Sequence, residues 1–324
     1  MPKVSVLIPT YKPDPRHLRE TLQSLLTQTE QDFECILCDE PTKTDTKAII
    51  AEYLRDKRFR YVRNSALLGI GGNWNQSLTH ATAPVIAFLF QDDLWERDYL
   101  ETGLKIFAAN PGVGFVSQNH RYRYDDNLHT IEGYEVLQNI KREVLKPGLW
   151  KGSDFLKFWL QRNMHPNLIG EPPFVMLRRE VMEEVGPFTE TMPQFLDVEY
   201  WLRCLLVTDW YYADGLHGTF RVHGEAASYR NNASGEGLYD RLRCFEWLIG
   251  KFDGDMRRFV IASRNRAVED MAKKFLMRVK RRQGVSANGS KQVLWFVLKH
   301  PFVVAYAVTK VLWRRMTTES SLSH

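Results

Sequence analysis

The chain has 324 residues, of which 44% are hydrophobic, 26% charged and 12% aromatic, a balance that excludes disordered, collagen-like and disulfide-scaffold chains and allows a large buried core. Net charge is +5, but 15 basic and three acidic residues crowd positions 256–324, so an acidic body carries a basic tail, suited to an anionic membrane surface or nucleic acid or simply to a solvated helical face. The four cysteines are too few for a disulfide framework, and the N-terminus lacks the basic-then-apolar build of a signal peptide, which points to a reducing cytoplasm.

Along the chain, short apolar runs alternate with amphipathic ones. Val4–Ile8 reads as a strand closed by Pro9, and Leu18–Leu26 has helical spacing. Phe33–Cys38 is a second strand, followed by a polar loop and a helix around positions 48–54. Phe59–Val62 is a third strand, leading into a Gly-rich loop at 68–73 and a helix to about His80. A fourth, Val85–Leu89, runs into Gln91, Asp92 and Asp93. This alternation predicts an α/β fold around a mostly parallel sheet flanked by helices, in which ligands bind at the carboxyl ends of the strands. Pro9-Thr10-Tyr11, Asp39-Glu40 and Asp92-Asp93 all fall at such ends, so three strands deliver polar groups to one rim. Further on, Gly170–Arg179 reads as a rigid turn entering a strand and Leu196–Arg203 as the start of a helix; beyond Gly235 the pattern is helical.

Two motifs lead nowhere. Gly69-Ile70-Gly71-Gly72 opens like a dinucleotide fingerprint, but Trp74 takes the sixth position and the loop follows the third strand rather than the first. Cys35 and Cys38 have redox spacing inside a strand, where residues three apart face opposite sides, so both thiols read as core. The adjacent Asp92 and Asp93 carry more chemistry. Hard carboxylate oxygens suit Mg2+ or Mn2+ and, through it, a diphosphate, although Asp pairs also serve as helix N-caps.

The ordered set Val4–Tyr11, Cys38-Asp39-Glu40, Asn64 with the Gly69 loop, Phe88–Trp95, Phe174–Arg179 with Val185–Phe188, Asp197–Arg203 and Phe220–His223 resembles the family 2 glycosyltransferases of the GT-A fold, over about residues 3–230. It departs from that family at Phe90, where a carboxylate is common, at Gly71-Gly72-Asn73, where many members carry a basic residue, and at Leu196 before Asp197.

The resemblance implies a catalytic domain over 1–232, with a nucleotide-sugar half to about 117 and an acceptor half beyond it, and a basic helical region over 233–324. It implies an inverting, metal-dependent transfer of a sugar from a nucleotide-diphosphate donor to a hydroxyl of a glycan or lipid-linked glycan, in cell-surface polysaccharide synthesis. Asp197 would be the catalytic base. Pro9, Thr10, Tyr11, Asp39, Asn73, Asp92 and Arg221 would bind the donor, with Asp39 accepting from the nucleobase imide, and Asp93 and His223 would hold the Mn2+ or Mg2+ ion. A nucleotidyltransferase would want a Gly-rich basic loop after the first strand, where Pro9–Pro13 stands. A nucleic-acid-binding tail would want regular aromatic interleaving, so no nucleic-acid partner is expected. Val293–Trp313 is apolar and aromatic but divided by Lys299-His300-Pro301. That composition fits a helix lying in a membrane interface, peripheral on the inner face of the cell membrane, or one packed on protein.

Overall fold

The computed structural model describes residues 1–124, 132–192, 194–223, 239–280 and 287–321. The chain divides into two compact units. The first comprises Met1–Lys157, Pro166–Thr191 and Leu196–Gly224; the second comprises Phe158–His165, Met192–Phe195 and Glu225–His324. The expected boundary at 232 lies outside the described residues.

The first unit is built on one sheet of nine strands: β1 (Val4–Thr10), β2 (Phe33–Asp39), β3 (Phe59–Arg63), β4 (Val85–Phe88), β5 (Leu94–Trp95), β6 (Val113–Tyr124), β7 (Gly148–Trp150), β8 (Val175–Arg178) and β9 (Asp209–Val222). The order is 3-2-1-4-8-6-9-5, with β7 pairing on β9. β1, β2, β3 and β4 are parallel neighbours, and β6 also runs parallel to β9, whereas β8 is antiparallel to both β4 and β6. All seven residues of β1 are buried, as a central parallel strand covered on both faces requires.

The helices of this unit are α1 (Pro15–Leu26), α2 (Thr46–Ile49), α3 (Gly69–Thr79), α4 (Tyr99–Ala109), α5 (Glu132–Val144), α6 (Gly152–Gln161), whose last turn enters the second unit, α7 (Arg179–Val185) and α8 (Leu196–Val207). α1 starts where Asp14 accepts the N–H groups of Arg16 and His17 and Pro15 takes the first turn, and it buries Leu18, Leu22 and Leu25 on one stripe. Two expectations are corrected. The helix placed at 48–54 is a four-residue α2 followed by a 3-10 turn at Tyr53–Arg55. The Gly-rich loop is the opening of α3. A Cβ on Gly71 would lie 2.9 Å from both the Leu196 Cδ1 and the Thr189 carbonyl oxygen, so glycine lets α3 approach the start of α8 closely.

The second unit is helical: α9 (Asp240–Ile249), α10 (Gly254–Lys280), α11 (Ala287–Lys299) and α12 (Pro301–Ser321). Its interior includes Phe245, Leu248, Val260, Val268 and Phe296. All four cysteines of the chain are free and buried, as core thiols.

Candidate active site

The ends of β1, β2 and β4 meet in a tight polar knot. Asp39, with no exposed surface, accepts the hydroxyls of Thr10 (2.7 Å) and Thr46 (2.9 Å) on Oδ1 and of Tyr61 (2.8 Å) on Oδ2. Burial and the Asp39 carboxylate push the Tyr61 phenol up to about 12, so it stays a donor. Asn73 donates to the Thr10 carbonyl (3.3 Å) and accepts from Asn64 (3.0 Å), whose own oxygen accepts the Cys38 thiol (3.2 Å). Glu40, also buried, accepts the Leu68 N–H with both oxygens, at 3.1 and 3.0 Å. At the tip, the Gln91 side chain accepts the Tyr11 N–H (2.8 Å) and donates to the Tyr11 carbonyl (3.2 Å), a two-way clamp between the ends of β1 and β4. Pro9, Thr10, Asp39 and Asn73 therefore lie inside the floor of the rim; of the expected nucleotide-side groups on this edge, Tyr11 is the one that stands exposed.

Asp92 and Asp93 go separate ways. Asp93 is 1% exposed: its Oδ1 accepts the Arg221 N–H (3.0 Å), its carbonyl accepts the Thr21 hydroxyl (2.9 Å), and its Oδ2 is buried with no hydrogen-bond partner. Burial first, and then the charge of Asp92, raise its pKa well above the usual carboxylate range. The expected metal ligand is thus packed into the fold rather than standing on the rim. Asp92 is the half-buried member, with its Oδ2 2.7 Å from His223 Nε2. Arg221 is also buried. Its side chain is 2% exposed and its guanidinium donates to Glu20 of α1 at 2.7 Å, which ties β9 to α1. Among the described residues no three His, Cys, Asp or Glu side chains are grouped to hold a metal by themselves. Asp92 and His223 offer a hard oxygen and an imidazole nitrogen side by side. That pair fits a divalent cation that fills the rest of its shell with diphosphate oxygens and water.

Asp197 stands at the first turn of α8. Its Oδ1 accepts the Val198 N–H (2.8 Å) and its Oδ2 accepts the Asn167 amide (2.8 Å). Asn167 also clamps the Gly170 turn, donating to the Gly170 carbonyl (3.0 Å) and accepting its N–H (3.1 Å), while the Trp201 indole donates to the same carbonyl (3.0 Å). Gly170 adopts φ +120°, which favours glycine, and a Cβ there would lie 3.3 Å from Lys141 Nζ. Lys141, 3% exposed on α5, has its pKa lowered by burial, against the opposing pull of Glu171 and Asp197. Loss of hydration, helped by the negative charge of Glu171 and resisted by the Val198 N–H and Asn167, raises Asp197 to about 7. A helix N-terminus by itself favours the carboxylate anion; burial outweighs that dipole here, and the group is poised near neutrality. Glu171 approaches His120 at 3.3 Å, but His120 is buried, stacked on Phe174 with ring centroids 3.9 Å apart, and burial takes its pKa well below the ordinary histidine value, so it stands there neutral. Glu199 is committed to Arg203 four residues on, through two contacts of 2.9 Å.

Asn167, Lys141 and Glu171 were missed as site residues. Glu171 lay in a run singled out only for its turn, and a lysine late in an amphipathic helix reads as solvated. The one available signal was the Asn-x-x-Gly spacing of a side-chain-closed turn at Asn167 and Gly170.

Residues 5–186 match the model of "Glycosyl transferase family 2". An uncharacterized protein of Mycobacterium tuberculosis is 29% identical over 248 residues, 76% of this chain and 76% of its own length. The UDP-Glc:alpha-D-GlcNAc-diphosphoundecaprenol beta-1,3-glucosyltransferase WfgD of Escherichia coli is 28% identical over 117 residues, 36% of this chain and 45% of its own length, so this match spans less than half of that relative. Among solved structures, S. aureus TarS 1-349 in complex with UDP-GlcNAc superposes with a TM-score of 0.63 at 15% identity, covering 95% of this chain and 83% of that one. The mannosyltransferase PcManGT from Pyrobaculum calidifontis, in complex with GDP-Man and Mn2+, does so with a TM-score of 0.58 at 16% identity, covering 97% and 88%.

Proposed function

The chain belongs to glycosyl transferase family 2 and has the GT-A fold; from that premise we propose that it moves a sugar from a nucleoside diphosphate donor, with inversion, onto a hydroxyl of a glycan or lipid-linked glycan, with Asp197 as the base. The observation that carries this reading is the Asp197 carboxylate, held by Asn167 and Val198 at a pKa of about 7. A base with that affinity takes a proton from an acceptor hydroxyl and still releases it at physiological pH. In the transfer, the acceptor oxygen loses its proton to Asp197 and bonds to the anomeric carbon on the face opposite the diphosphate. The carbon–oxygen bond to the diphosphate breaks on the other side, which inverts the centre.

The donor lies along the β1–β4 edge. Tyr11, fixed by Gln91, borders the base, and the buried knot of Thr10, Asp39 and Asn73 sets the shape of that edge. Asp92 and His223 hold the divalent cation, with Asp93 and Arg221 keeping that corner in place. When bound, a Mn2+ or Mg2+ ion offsets the charge that develops on the departing diphosphate. The Mn2+ named with the mannosyltransferase supports the metal, and the diphosphoundecaprenol in the name of the Escherichia coli relative supports a lipid-linked acceptor.

The test is a thermal-shift series of UDP-, GDP- and dTDP-sugars with and without Mn2+, since a ligand of the native state raises the melting temperature. One nucleotide sugar is expected to stabilise the protein, and only with the metal. No shift with any donor defeats the reading, and an equal shift in EDTA removes the metal from it.

A further inference from the structure

Glycosyl transfer makes no use of the outer surface of the second unit. There α11 and α12 meet at Pro301, which cannot continue the preceding helix and starts the next one, and the two axes bend by 107°. One side of this elbow is anchored. Phe296, Ala307 and Val311 are buried; the Phe296 ring lies 5.4 Å from Tyr239, His300 Nε2 3.3 Å from Glu246, and Lys310 Nζ 2.6 Å from Glu269. The other side turns outward. Trp295 and Leu298 on α11 are 60% and 71% exposed, and Phe302 and Tyr306 on α12 are 87% and 66% exposed. Single exposed apolar residues are ordinary, but these occupy successive turns around one corner, with Leu298 and Phe302 on either side of the proline. Cations rim them: Lys299, half-exposed and 3.7 Å from Glu246, sits over the Trp295 ring at 5.2 Å, Lys310, paired with Glu269, lies over the Tyr306 ring at 5.6 Å, and Lys291 is exposed. From Val293 to Trp313 the sequence contains no Asp or Glu.

We propose that this elbow is a membrane-docking surface: its corner, carried by Trp295, Leu298 and Phe302, inserts into the headgroup region of an anionic bilayer while Lys291 and Lys299 meet lipid phosphates. No single described helix is long and apolar enough to cross a membrane; the two halves reach that length only together, across a 107° bend, and with Phe296, Ala307 and Val311 packed on protein an elbow lying in the interface is the arrangement proposed. Aromatic rings beside lysines are the side chains that settle at headgroup level. A second copy of the chain is the poorer occupant. A two-fold contact through this face would set Lys291 and Lys299 against their own copies, with no carboxylate of α11 or of α12 as far as Trp313 to offset them and only Glu246, already shared with His300, beside Lys299. The proposal rests on the second unit alone and stands or falls separately from the transferase reading, because its assay contains no sugar nucleotide.

The full chain is sedimented with phosphatidylcholine vesicles, with and without phosphatidylglycerol, at low and high salt. Binding is expected on the phosphatidylglycerol vesicles and should weaken as salt rises. Leu298→Ser with Phe302→Ser should weaken it at least about tenfold. Lys299→Gln should weaken it about fivefold. Because both replaced apolar side chains are exposed, the melting temperature of the double variant should match that of the wild type, so a loss of binding is not a loss of fold. Wild-type protein left in the supernatant at low salt overturns the proposal, as does a double variant that sediments like the wild type. A concentration-dependent dimer that the double variant abolishes, without vesicle binding, gives the surface to a second copy.

Discussion

The carboxylates at the strand ends and the carboxylate at the start of α8 are chemically alike and physically opposed. Asp39 and Glu40 are buried, and every bond they make is to another part of the fold: three hydroxyls on Asp39, a backbone N–H on Glu40. Asp197 has fewer donors than Asp39, with a buried lysine and a second carboxylate nearby, and its proton affinity rises to the middle of the physiological range. A buried acid saturated with donors is a structural part; one held by two bonds in a dry, charged pocket can exchange a proton. Asp93 lies between the two types, with one oxygen bonded and the other unpartnered beside Asp92.

The largest effect that sharpens this contrast is expected at Asp197. Asp197→Asn keeps an oxygen for the Val198 N–H and removes the base, so steady-state turnover should fall at least about a hundredfold. Stability moves the other way. The folded-state pKa, about 7, lies above the ordinary aspartate value of 3.8, so the native chain holds a proton that the unfolded chain has lost across that window. This residue therefore makes the fold less stable as pH rises from about 4 to 7, and Asp197→Asn should melt no lower than wild type at pH 8. Near-normal turnover in this variant would break the contrast at its strongest point.

At the opposite pole, Asp39→Ala leaves the hydroxyls of Thr10, Thr46 and Tyr61 without their buried acceptor. It should cost about 3 kcal/mol of stability, read from urea unfolding. A fully stable Asp39→Ala whose only defect is a raised KM for donor would instead make Asp39 a contact to the base.

At the divalent-metal corner, Asp92→Asn should lose most of the metal-dependent thermal shift while its metal-free melting temperature holds. Asp93→Ala should lower that metal-free melting temperature by a few degrees, because it removes the acceptor of the Arg221 N–H. Equal behaviour of the two variants would merge residues that the geometry separates.

The smallest effect is expected at Lys141. Lys141→Met removes the buried cation that favours the Asp197 anion, so the acidic limb of the pH–kcat/KM profile should move up by about one unit, with little change in the plateau. An unmoved limb would mean that the lysine serves packing alone.

Much of the fold was legible beforehand because its signals are local. Each parallel strand of the N-terminal half is a short apolar run closed by a polar residue, and β1 to β4 lie where those runs lie. The candidates at strand ends were legible for the same reason, since strand ends must carry the rim; Asn73, Asp197, Arg221 and His223 came only from the family resemblance. Their division of labour was not. Adjacent residues such as Asp92 and Asp93 have the same side chain, and only the approach of β9, which brings the Arg221 N–H to one and His223 to the other, decides which is buried. The pairing of Arg221 with Glu20 of α1 was likewise invisible in the sequence, 201 positions apart. The sequence by itself determined the α/β alternation and the basic, aromatic tail, because composition and periodicity act within a few residues along the chain, and its ordered motifs carried the family resemblance. The tertiary structure alone decided that Asp39 is sealed, that Asp197 meets Asn167, and that Lys141 is buried beside them. Burial and charge act through space, between segments that the sequence keeps tens of residues apart.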